Sequence, residues 1–154
     1  MTDEAGGLPP EGAGPAVVAR LLRTRAAEGA ALWLPVDGRS MWPTIGPPAR
    51  VRLHGGGRPR RGEVWAFVGA GNAIVVHRCE RRAGPGYVFR GDGVAGADPW
   101  VPVEHLIGRV VEVDDPRGVR ALGIADRLTG TARNLGTRVR NWVRGLMVGR
   151  GDRR

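Results

Sequence analysis

The chain has 154 residues, 42% of them hydrophobic, a balance that fits one folded domain and excludes a disordered protein by composition. Its formal charge is +9, but residues 1–119 carry 15 arginines against 13 acids and residues 120–154 carry 9 against 2, so the body is nearly neutral and speaks against a nucleic-acid-binding core. Cys79 is the single cysteine, which excludes an intrachain disulfide, and the longest apolar run, 30–36, falls far short of the ~20 residues a membrane-spanning helix needs.

Taken in order, residues 1–14 are acidic and rich in Gly and Pro, with no apolar run after basic residues; they read as a disordered leader and not as an export signal. Residues 15–28 predict a helix, with Val17, Val18, Leu21 and Leu22 on its apolar face, Pro15 in its first turn and Gly29 at its end. Strands are predicted at 31–36, 50–54, 63–68, 73–82, 87–90 and 107–113, with hairpin connections at 69–71 and 83–86. The body is therefore expected over 15–118, mainly antiparallel β with one leading helix. From 119 onward the period changes: Leu128, Ala132, Leu135, Val139, Trp142 and Leu146 step by four and three, predicting a basic amphipathic C-terminal helix over 119–154. Glycines at 123, 130, 136 and 145 make a break in it expected.

All 24 basic residues are arginine. The absence of lysine removes one candidate catalytic base. Ser40 follows the apolar strand 32–36, with Gly38 two positions before it. A serine at a strand end, on a turn with free backbone N–H groups, suits a nucleophile beside an oxyanion site. On that ground alone an ordinary turn serine is the stronger alternative.

The string Gly38-Arg39-Ser40-Met41-Trp42-Pro43-Thr44-Ile45 resembles the G-x-S-M-x-P-T motif of type I signal peptidases and their self-cleaving repressor relatives. Downstream, Arg61-Gly62-Glu63-Val64-Trp65-Ala66-Phe67 resembles the family's RGDIVVF strand, and Val75-Val76-His77-Arg78 resembles the segment carrying its base. Phe89-Arg90-Gly91-Asp92-Gly93-Val94-Ala95-Gly96-Ala97-Asp98 resembles its KGDNNxxxDD loop, and His105-Leu106-Ile107-Gly108-Arg109-Val110 its closing strand. The resemblance spans residues 29–113 and implies a signal-peptidase-like antiparallel β-domain. It implies Ser40 as nucleophile, His77 as the base of the family's histidine branch, and Asp98 as the carboxylate orienting His77. Gly38, Met41, Pro43, Thr44 and Asp92 are then supporting or structural residues. An imidazole, whose ordinary pKa is ~6.5, can accept a serine proton at neutral pH. Gly93 departs from the family's asparagine, and the family's transmembrane anchor has no counterpart here.

The expected activity is a serine endopeptidase cleaving a leader, signal or propeptide after small residues; the alternative is a catalytically silent peptide-binding module of the same fold. No cofactor or metal is expected, since Cys79 and His77 share a strand face but lack further ligands and Cys79 reads as a packing residue. His54 and His105 read as surface residues, and Trp42 either lines a substrate groove or joins the core. The partners expected are a peptide or protein substrate and no specific nucleic acid. Residues 120–148 may be read three ways: packed on their own domain, laid on an anionic membrane surface, or paired with another helix. The corresponding location is cytoplasmic, or peripheral at the membrane.

Overall fold

A computed structural model of the chain describes residues 12–29 and 31–123. Helix α1 (Pro15–Ala27) leads into strands β1 (Leu32–Val36), β2 (Ala49–His54), β3 (Val64–Val68), β4 (Ile74–Ala83), β5 (Gly86–Arg90), β6 (Val101–Pro102), β7 (Leu106–Asp115) and β8 (Gly118–Ala121). They form one curled antiparallel sheet in the order β1-β2-β7-β3-β4-β5-β6, with β8 also paired to β7.

Strand alternation builds two cores. In β2, Ala49, Val51 and Leu53 point inward while Arg50, Arg52 and His54 point out. The outward arginines pair across to β7, Arg50 with Asp114 at 2.5 Å and Arg52 with Glu112 at 2.6 Å. β3 is buried on both faces. Val64, Ala66 and Val68 join the core that α1 covers, and Trp65 and Phe67 join a second core with Cys79, Tyr87, Phe89, Val101 and Leu106. There Phe67 and Phe89 stack with ring centroids 4.7 Å apart. A fully buried strand is one the sheet has curled around, so the site can sit on its rim with apolar support beneath.

The structure departs from the sequence reading in four places. The buried face of α1 is Val18, Ala19 and Ala26, with Leu22 partly packed; Val17 and Leu21 are exposed, because the helix rests on the sheet by its small residues. Ala13, within the span expected as leader, packs against the first core, and its carbonyl accepts a 2.8 Å hydrogen bond from the Asn72 side chain. Strands β6 and β8 are additional, and β8 crosses the boundary expected at 118/119, so the body continues to at least Leu122, whose N–H donates to Val111. The C-terminal amphipathic helix lies outside the described residues. Among the described residues no helix is long and apolar enough to cross a membrane.

Candidate active site

The turn that carries Ser40 begins where β1 ends. Trp42 N–H donates to the Arg39 carbonyl and Ile45 N–H to the Met41 carbonyl, each at 3.0 Å, so residues 39–45 coil into a tight turn. The four-residue spacing puts Met41 and Ile45 on one side, where both are buried in the first core. The turn is thus anchored from below by apolar burial, and Ser40 is left half-buried at the surface. Pro43 follows a cis peptide bond from Trp42.

His77 comes from β4. His77 pairs with Trp65 of β3, and strand alternation turns His77 to the same face as Val75 and Cys79. Its Nε2 lies 2.8 Å from Ser40 Oγ, and its Nδ1 lies 2.6 Å from Asp98 Oδ2. The Phe67 ring meets the imidazole edge-on at 6.4 Å, which walls one side of it with hydrocarbon. A carboxylate can only accept, so it fixes the tautomer with hydrogen on Nδ1 and leaves the Nε2 lone pair for the serine proton. Asp98 is itself placed by its N–H, which donates to the Phe89 carbonyl at 2.8 Å. Its loop is tied further by Arg90, whose guanidinium donates to the Ala95 carbonyl and pairs with Glu80 at 2.8 Å.

Ser40 is also held through its backbone. The Gly93 N–H donates to the Ser40 carbonyl at 2.8 Å. A Cβ at Gly91 would overlap that carbonyl and come within 3.0 Å of His77 Nε2, so only glycine lets this loop pass so close. Among the described residues, the N–H groups of Gly38 and Ser40 donate to no protein acceptor.

Asp92 has a separate task. Its carboxylate is fully buried and takes two bonds from Arg78, at 2.8 and 2.6 Å, and one from Thr44 Oγ1 at 2.5 Å. Arg78, only 2% exposed, also donates to the Gly62 carbonyl at 2.7 Å. This buried pair welds β4 to the nucleophile turn through Thr44. Sequence reasoning missed Arg78. Its signal was available: the residue after His77 on β4 faces the other side of the sheet with Val76 of the first core, and a buried guanidinium requires a carboxylate partner.

The remaining candidates have simpler places. Cys79 is buried in the second core, and burial pushes its thiol pKa up to about 12, so it packs as a neutral group. His54 is exposed and His105 half-buried. Trp42 is 54% exposed, which puts it beside the site and not in the core. A hollow of about 20 Å³ near Glu63, Arg78 and Leu122 touches none of Ser40, His77 and Asp98. Among the described residues no group of three or more His, Cys, Asp and Glu side chains is placed to hold a metal ion. Compared with known proteins, the chain matches no protein-family model, and its sequence matches no curated protein.

Proposed function

We propose that the chain is a serine endopeptidase resembling the histidine branch of type I signal peptidases, cleaving a leader, signal or propeptide after small residues. The observation that carries this reading is the relay Asp98–His77–Ser40, with both hydrogen bonds under 3 Å between groups brought together from three separate segments. In the proposed reaction Ser40 Oγ attacks the scissile carbonyl carbon while its proton moves to His77 Nε2. The oxyanion is met by backbone N–H groups of the turn, those of Gly38 and Ser40 being free to donate. Collapse breaks the C–N bond, His77 returns the proton to the leaving amine, and the acyl group remains on Ser40. Water then attacks the ester, giving its proton to His77, and the acid departs as Ser40 is reprotonated. Asp98 holds His77 Nδ1 throughout and stabilises the imidazolium.

A fluorophosphonate probe tests this directly. Stoichiometric phosphonylation mapped to Ser40 by mass spectrometry, and absent from Ser40→Ala and His77→Ala, is expected. A folded wild-type chain that takes up no probe would replace the enzyme with the peptide-binding module.

A further inference from the structure

The carbonyls of Pro43 and Thr44, at the far end of the nucleophile turn, are met by a part of the chain some seventy residues away. The β7–β8 hairpin turn brings up Asp115, Arg117 and Arg120. Arg117 donates to the Pro43 carbonyl at 2.8 Å and to the Thr44 carbonyl at 3.0 Å, and Arg120 donates to the same Thr44 carbonyl. Behind them the Asp115 carboxylate, with a side-chain exposure of 0%, accepts from Arg117 at 2.6 Å, from Arg120 at 3.3 Å, and from the backbone N–H of Gly46 at 3.1 Å. It also accepts the Arg117 backbone N–H at 3.0 Å. The Arg117 guanidinium faces the exposed Trp42 ring, 5.8 Å from its centroid.

We propose that Asp115, Arg117 and Arg120 form a positioning clasp that sets the orientation of the Ser40 turn toward His77. The proposal rests on Ser40 being the nucleophile. The turn is pinned from below by Met41 and Ile45, at its start by the Gly93 hydrogen bond, and on one flank by Thr44 and Asp92. The Pro43 and Thr44 carbonyls receive their side-chain donors from the clasp. Arginine suits the task because its rigid fork can bridge two carbonyls and a carboxylate together and keeps its charge at every pH of interest. Arg117 is half-exposed and belongs to neither core, so its removal loosens the turn without opening the interior. The Ser40–His77 bond is only 2.8 Å long, and a displacement of about 1 Å in reacting groups can cost on the order of 10²-fold in rate.

The test uses the full chain and the fluorophosphonate probe, with amide hydrogen exchange as a second reading. Arg117→Ala is expected to slow phosphonylation of Ser40 by about 10- to 100-fold. The rate should be lower by about the same factor at every pH, and the loss should exceed what the accompanying fall in thermal midpoint accounts for. Arg117→Lys keeps the charge without the fork and should recover part of the rate. Exchange at Gly46, whose N–H is held by Asp115, should quicken in Arg117→Ala and Asp115→Asn. Wild-type labelling by Arg117→Ala, or a loss that follows only the unfolded fraction, would overturn the clasp. A wild-type chain that does not label defeats the peptidase reading and with it any catalytic role for the clasp. Exchange at Gly46 then still decides whether the hairpin holds the turn.

Discussion

Asp92 and Asp98 are six residues apart in one loop, yet their surroundings give them different work. Asp92 is sealed against Arg78 and Thr44, whereas Asp98 sits at the rim with one oxygen 2.6 Å from His77 Nδ1. Asp98→Asn should therefore lower phosphonylation of Ser40 by about 10²- to 10⁴-fold, since an amide no longer enforces the productive tautomer. Circular dichroism should stay as in the wild type. Labelling within twofold of wild type would remove Asp98 from the relay. Ser40, His77 and Asp98 were legible because each stands in a motif whose residue type is chemically distinctive. Arg117 and Arg120 were not: in a chain whose every basic residue is arginine, a bridging one has no compositional mark, and their acceptors, the Pro43 and Thr44 carbonyls, lie some seventy residues away.

At the scale of elements, two polar struts brace one turn. The β4 strut is buried, so removing its acid strands a guanidinium away from water. Asp92→Ala is expected to cost about 3–5 kcal/mol in urea unfolding, far more than Asp98→Ala. Equal losses for the two would show that Arg78 finds another partner. The β7–β8 strut is acid-labile instead. Hydrogen bonding from Arg117, opposed by burial and helped by the Gly46 and Arg117 N–H groups, holds the Asp115 carboxyl well below the usual carboxylate range. A carboxyl depressed by folding stabilises fully above its unfolded pKa of ~3.9, and that contribution is lost as pH falls through the folded value. Asp115→Asn should accordingly flatten the acid limb of a stability-against-pH curve below about pH 4, leaving the slope near neutrality alone. An unchanged acid limb would mean that Asp115 makes no net contribution there. Elements with strong alternation or a two-residue Gly-Pro turn, such as β2 and the β4–β5 hairpin, could be read from sequence. β6 spans two residues, and β8 reads Gly-Val-Arg-Ala with Val119 66% exposed, so neither carries a periodic signal. The helix face was misplaced because Val17 and Leu21 outweigh alanine on any hydrophobicity scale, whereas Ala19 and Ala26 allow close approach to the sheet.

For the molecule as a whole, the mainly-β body was legible, but its C-terminal limit was not, and that limit decides how the tail should be tested. Arg120 sits in β8 with its guanidinium on the Thr44 carbonyl, so it belongs to the body and is not free to meet headgroups. A chain cut near Pro116 would lose Arg117 and Arg120 together and would confound the tail with the clasp. The informative cut is after Gly123, where the described body ends. Read as a helix, the sequence would set Arg127, Arg133, Arg138, Arg140 and Arg144 beside or opposite an apolar stripe that includes Leu128, Leu135 and Trp142. Basic segments gain ~1 kcal/mol per arginine at an anionic surface, an attraction that falls off within a Debye length. If residues 124–148 stand in for a membrane anchor, the full chain should sediment with phosphatidylglycerol-rich vesicles and the chain ending at Gly123 should remain in the supernatant. Added salt and Trp142→Glu should each weaken retention, and neutral vesicles should retain little. Both chains should label with fluorophosphonate at equal rates, because the clasp is complete in each. Equal sedimentation of the two chains would sink the membrane reading. Unequal labelling would instead assign the tail to the catalytic body, packed on its own domain.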